Sequence, residues 1–147
     1  MEKSRVSLKG GVLIIGSLLW DDKKHRVSWR ANNLDEREQL SIKAPIRYGR
    51  VSSSRSCTYT MVFSKDCDNA EMMGQGVFLP FKKRVDLAGL LDQAKKLKVA
   101  EYPATSKVDD WFNWDWGCVG ICFNPTILSA DEKKNEIEVV LSKWKTK

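Results

Sequence analysis

The residues with most scope for chemistry sit where an apolar stretch runs into Gly16-Ser17-Leu18. A glycine directly after a buried strand lets the backbone turn sharply and approach a ligand. Successive amide N–H groups in such a turn can form a nest for an anion or oxyanion, although a plain strand end with a Gly-Ser turn has the same sequence. A second segment, Pro45-Ile46-Arg47-Tyr48-Gly49-Arg50-Val51-Ser52-Ser53-Ser54-Arg55, sets arginines and consecutive serines beside Tyr48 and Tyr59. Forked guanidinium groups and hydroxyls of this kind receive a carboxylate or phosphate. Arg47, Tyr48, Arg50 and Arg55 are then the contacts, and a solvated loop is the alternative. Trp111-Phe112-Asn113-Trp114-Asp115-Trp116 reads either as a stacking platform or as a roof over the core. The single histidine, His25, lies among Asp22, Lys23, Lys24 and Arg26 and reads as an exposed turn residue rather than a general base.

Cysteine spacing argues against a metal centre. Cys57 and Cys67 are separated too widely for a zinc-binding pair, and only Cys118 and Cys122 are close. Residues 116–123 read as a strand, on which positions four apart face the same way but lie about 13 Å apart. Free, largely buried thiols in a reducing, cytoplasmic compartment fit this pattern best.

The elements that must position these residues follow from apolar periodicity. Residues 11–15 form a strand that is apolar throughout and therefore expected to be covered on both faces. Asp21-Asp22-Lys23-Lys24 follows as a polar turn, and Asn32 or Asn33 can cap a short helical turn beyond it. Residues 41–48 alternate, with Pro45 marking an edge or a break. Residues 58–63 are a run of β-branched and aromatic strand formers, and 75–81 form a further strand. Leu87, Leu90, Leu91, Ala94 and Leu97 recur at helical steps, so a helix is expected over 86–97. Asn124-Pro125 ends the 116–123 strand. Ser129 and Glu132 have capping-box spacing and open a helix presenting Ile137, Val140, Leu141 and Trp144. The expected fold is α+β: a small, mixed, mostly antiparallel β-sheet or barrel with two main helices, in one domain spanning 1–147.

With 147 residues, 42% of them hydrophobic and 30% charged, the chain can bury a core without a disulfide or metal staple. The apolar run over 10–20 is far short of a membrane span and lacks a signal-peptide cleavage pattern. A collagen, coiled-coil or disordered chain is excluded by the same composition. The net charge of +6 is spread along the sequence. Only weak retention on a generic duplex at low salt is expected from it, with no specific nucleic-acid partner. A small molecule is the expected partner, no cofactor is implied, and the oligomeric state is left open.

Ile14-Ile15-Gly16-Ser17-Leu18-Leu19-Trp20 resembles the first strand and loop of the γ-glutamylcyclotransferase-like (AIG2-like) superfamily, whose signature is Tyr-Gly-Ser-Leu. Gly76-Val77-Phe78-Leu79-Pro80 is similar to the family's central Gly-Val strand, and Leu87-Ala88-Gly89-Leu90-Leu91-Asp92 to its Leu-x-x-Leu-Asp helix. The resemblance implies a cavity beside Ile15, Gly16, Ser17 and Leu18. It also implies attack of a γ-glutamyl α-amine on its own γ-carbonyl, releasing 5-oxoproline and an amine. A carboxylate must accept the ammonium proton, since only the free amine is a nucleophile. The chain departs from the pattern twice: Ile15 replaces the tyrosine, and Asp92-Gln93-Ala94-Lys95 carries no glutamate where the family has its base. Glu101 is the nearest glutamate and becomes the expected catalytic residue, with Asp92 and Asp115 as shorter substitutes. A binding module that has lost catalysis is the alternative.

Overall fold

The computed structural model describes residues 7–52, 56–67, 69–101, 119–128 and 131–144. They form a mixed α+β structure of small antiparallel sheets and four α-helices. The chain, expected as one domain, gathers into two compact units: Gly11–Lys82, and Met1–Gly10 with Lys83–Lys147.

In the Gly11–Lys82 unit, strand β1 (Gly11–Ile14) leads to a 3-10 turn (Ser17–Leu19) and helix α1 (Lys24–Asn33). Strands β2 (Leu40–Ala44), β3 (Ile46–Ser52), β4 (Thr58–Phe63) and β5 (Gly74–Pro80) follow. The central β5 pairs antiparallel with β1 on one side and β2 on the other, with Leu13 and Leu40 both opposite Phe78. β3 and β4 form a separate antiparallel ribbon. Pro45 stands where the chain leaves one sheet for the other; it has no N–H to donate to a ladder, while its carbonyl accepts Ser64 N at 2.8 Å beside the β3–β4 ribbon. Of the expected antiparallel sheet or barrel, the described strands form the former: a three-stranded and a two-stranded sheet, not closed into a barrel.

Buried side chains of this unit include Ile14, Leu18, Trp29, Leu34 and Leu79. β1 is an edge strand, and only Ile14 of it is fully buried, which corrects the expectation of two covered faces. The expected polar turn leads into helix α1 at Lys24, and Asn32 and Asn33, expected to cap a helical turn, are instead its last residues; a short 3-10 turn follows at Glu36–Glu38, capped by Asp35. The inward residues of α1, Arg26, Trp29 and Arg30, keep helical spacing, but two of the three are arginines, so no apolar stripe announced it. Beyond α1, Leu34 bridges to Phe81, Asp35 N donates to Pro80 O (2.9 Å) and Lys82 N to Asn33 O (3.0 Å). The end of α1 is thereby tied to the end of β5.

In the other unit, helix α2 (Leu87–Glu101) begins where expected. Asp86 Oδ1 accepts Gly89 N at 2.7 Å and caps the first turn. The helix runs four residues further than the apolar pattern requires. A short helix α3 (Pro125–Leu128) precedes α4 (Asp131–Trp144). Leu8, Leu87, Phe123, Ile137 and Val140 form the core, with Leu90, Leu91 and Leu141 packed against it. The segment 119–123 is not a strand. Burial alternates along it, with Phe123 inside and Cys122 outside, but no partner strand completes a ladder among the described residues. The thiols also differ from expectation: Cys67 is buried, whereas Cys57 and Cys122 are exposed. Cys118 and the Trp111–Trp116 aromatic segment lie outside the described residues.

Candidate functional site

β1 delivers the chain to a loop held from several sides. Ile15 and Ser17 are half-buried, Gly16 is exposed, and Leu18 is inside at 6% exposure. The amides of Trp20 (3.1 Å) and Asp21 (2.8 Å) both donate to Ser17 O and close the turn. From α1, Arg30 Nη1 donates to Leu18 O and to Asp21 O, the latter at 3.0 Å. Arg26 Nη1 lies 2.7 Å from Asp21 Oδ2, with side chains only 7% and 12% exposed. Lys23 N donates to Asp21 Oδ1 at 3.0 Å. Two buried guanidinium groups thus hold one short loop, Arg30 Nε lying also 3.8 Å from Glu36 Oε1, and desolvating a charge is costly unless such partners are in place.

The glycine is placed differently from the sequence expectation. Gly16 has φ −146° and ψ −158°, extended backbone open to any residue, and an added Cβ would meet nothing within 4 Å. Neither turn geometry nor packing demands glycine there. What the position offers is an uncovered backbone on a fixed loop.

Burial by itself would raise the Asp21 carboxyl; the Lys23 N–H and the charges of Arg26 and Lys23 outweigh it and hold the group below the usual carboxylate value. Its contribution to stability is therefore present above the unfolded value near 3.8 and lost as the pH falls through the lower folded value. Asp21→Asn is expected to cost about 2 kcal/mol at neutral pH, less than the roughly 3–5 kcal/mol of a fully enclosed pair because the carboxylate keeps some water. Urea melts should show that deficit shrinking below about pH 4. A deficit constant through the acid range would assign the loss to something other than the ion pair.

The remaining expected site residues are dispersed. Arg47 and Arg50 lie on β3, where the register shifts between Tyr48 and Arg50. Residues three apart in an unbroken strand face opposite ways. The extra residue, Gly49, brings Arg50 back to the face of Arg47, with Thr60 and Val62 across the ribbon. A Cβ on Gly49 would come 2.6 Å from Val62 Cγ2, so a glycine is what the bulge accommodates. Tyr48 points to the other face. Arg47 pairs with the exposed Asp66 at 2.9 Å, and Arg55 lies outside the described residues. Glu101 is the half-buried last residue of α2, in the other unit. Asp92 is exposed and pairs with Lys96 at 2.7 Å, while Asp115 lies outside the described residues. His25 belongs to the first turn of α1. Sequence reasoning missed Asp21, Arg26 and Arg30. The signal that could have found them is the spacing of Arg26, Trp29, Arg30 and Asn33, a helical stripe once arginine is allowed inside.

Among the described residues, no cluster of three or more His, Cys, Asp or Glu side chains could hold a metal ion. No helix among them is long and apolar enough to cross a membrane. Set against protein-family models, curated proteins and solved structures, the chain matches none.

Proposed function

We propose that this chain is a small-molecule-binding α+β domain whose binding element is the loop Ile15-Gly16-Ser17-Leu18, and that its ligand is an acidic, amino-acid-derived molecule of the γ-glutamyl type. One observation carries the reading: Arg26 and Arg30 are buried in order to fix a loop whose Gly16 backbone is left uncovered. Fixing the loop beforehand removes the ordering cost a ligand would otherwise meet. The nature of the ligand rests on the resemblance of Gly16-Ser17-Leu18 to the cyclotransferase loop. The proposal keeps to this loop because Tyr48 faces away from both ribbon arginines, which splits that segment between two faces.

Catalysis is the further part of the same reading. Asp21 is a poor proton acceptor, since Arg26 and Lys23 N already occupy both of its oxygens. The base therefore has to be another carboxylate, and Glu101 is the one proposed.

The test is a thermal-shift and calorimetric panel of glutamate, 5-oxoproline and several γ-glutamyl amines on wild type and Gly16→Ala. The added methyl meets no neighbour, so the variant should melt within about 1 °C of wild type or slightly above it. A ligand that packs on the bare backbone should lose about tenfold or more in affinity. Binding unchanged by the methyl, or no binding by any member of the panel, would remove the loop from the proposal. Binding without release of 5-oxoproline selects the non-catalytic module.

A further inference from the structure

The β3–β4 ribbon covers its polar face and leaves its apolar face open. Tyr48 stands opposite Met61, Val51 opposite Tyr59, and Ile46 opposite Phe63, so these six uncharged side chains share one face. Arg47, Arg50 and Ser52 share the other with Thr58, Thr60 and Val62. On that polar face Ser52 is buried, and Arg50, Thr60 and Val62 are half-buried. On the apolar face Tyr48, Tyr59 and Phe63 are 67%, 64% and 58% exposed, and Val51 is half exposed. An antiparallel pair with one covered side ordinarily turns its apolar residues inward, so the uncovered side here is the one with most to gain from a partner. The row is also held in place. Without the bulge at Gly49 the strand beyond Tyr48 would turn Val51 away from the face it shares with Tyr59. Ile46, at the end of the face, is buried where a Cβ on Gly74 would come 2.7 Å from its Cγ1, which seats the ribbon against β5.

Charge selects the occupant. A chain of net charge +6 repels its own copies, so two copies can meet closely only on a face whose charges point away. This is such a face, because Arg47 and Arg50 lie on the opposite side of the ribbon. The same placement speaks against a nucleic acid or an anionic lipid surface, which would need cations beside the rings. Area points the same way. Tyr and Phe each bury roughly 150–250 Å² when enclosed, so three rings about three-fifths exposed, with Val51, offer on the order of 400–500 Å² per copy. Two copies then bury roughly 1,000 Å², the lower bound of a specific contact. The face is also self-complementary. Tyr48 is diagonal to Tyr59 on one side and to Phe63 on the other. A two-fold axis at Tyr48 therefore sets that ring on its own mate, and Tyr59 of one copy against Phe63 of the other.

We propose that this face joins two copies of the chain in an isologous dimer centred on Tyr48. Aromatic and methionine side chains around an uncharged centre are the composition such contacts favour. A contact of this size makes a reversible dimer in the micromolar range. The inference is independent of the Gly16 loop.

Sedimentation velocity over a dilution series through the micromolar range tests it. Wild type should pass from one copy to two as the concentration rises. Added salt should strengthen the association, since it screens the repulsion between cationic copies and leaves the apolar contact in place. Tyr48→Ala and Tyr59→Ala should each raise the dissociation constant about tenfold or more. Tyr48→Lys, which places two ammonium groups at the axis, should abolish the dimer. Tyr48→Phe keeps the ring and Arg47→Ala alters only the other face, so both should stay within about twofold of wild type. The substituted positions are exposed, and circular-dichroism melts check that each variant is folded. The inference is overturned if wild type stays a single copy across the range, which would give the aromatic face to a different partner. It is overturned equally by a dimer that Tyr48→Ala and Tyr48→Lys leave intact, which would put the interface elsewhere. A dimer that salt dissociates would also refute it, because charge pairs rather than the apolar face would then hold the copies together.

Discussion

Gly11→Ala is expected to destabilise the Gly11–Lys82 unit by about 3 kcal/mol, the upper part of the range for overpacking a fixed site. A Cβ at Gly11 would fall against the Leu79 carbonyl oxygen, 2.6 Å from Phe78 Cζ and 2.7 Å from Pro80 Cα. Two of those three neighbours are backbone atoms of the paired strand β5, and Gly11 is opposite Pro80 in the ladder. A ring can rotate away, but a ladder partner can yield only by separating the strands. β1 feeds directly into the Gly16 loop, so the strain reaches the candidate site as well as the sheet. Equilibrium urea unfolding of Gly11→Ala beside Gly16→Ala makes the comparison internal: the same added methyl, five residues apart, is costly in one case and tolerated in the other. Equal midpoints for the two variants would contradict the β1–β5 approach described here.

Glu101→Gln is expected to lower turnover of a γ-glutamyl amine by about 10²-fold or more while leaving its binding nearly intact, if the chain is catalytic as proposed. Glutamine keeps the size and hydrogen-bonding reach of glutamate but cannot accept a proton at neutral pH. The reaction needs that acceptance, because the α-ammonium must lose a proton before its nitrogen can attack the γ-carbonyl. Asp92 faces solvent and is engaged by Lys96, and Asp21 is committed to Arg26. Release of 5-oxoproline, followed by chromatography, and calorimetric affinity for the intact substrate separate the chemical step from binding. A glutamine variant as active as wild type would transfer the role to another carboxylate. A wild type that binds the panel but releases nothing would leave Glu101 without one.

The candidate loop was legible because its signal is local: an apolar run, then glycine, serine and leucine. Its supports were not. Arg26 and Arg30 count as surface residues in any reading of hydrophobic pattern, and their burial depends on partners such as the carbonyls of Leu18 and Asp21 and the carboxylates of Asp21 and Glu36. The arrangement of Arg47, Tyr48 and Arg50, two arginines on one face and the tyrosine on the other, was hidden for a related reason. Which way each side chain points depends on a one-residue bulge, and a bulge is a property of two strands together.

Leu87, Leu90, Leu91 and Ala94 were enough to announce α2, as Ile137, Val140 and Leu141 were for α4, and the β-branched and aromatic run over 58–63 announced β4. In each, the side chains that prefer the conformation also supply the face that is buried. The sequence by itself therefore determined an α+β chain and the place where β1 ends in an unusual loop. Tertiary structure alone decided that residues 24–33 are helical, since two of their three buried side chains are arginines whose partners lie in the loop before the helix. It also decided that 119–123 is not a strand despite alternating burial, that the strands divide into two sheets, and that Tyr48 and the two ribbon arginines face opposite ways. Each of these depends on a partner remote in sequence. A residue's own propensity fixes the conformation it prefers, but whether a hydrogen bond, a counter-charge or a neighbouring strand stands opposite it is settled only when the chain has folded.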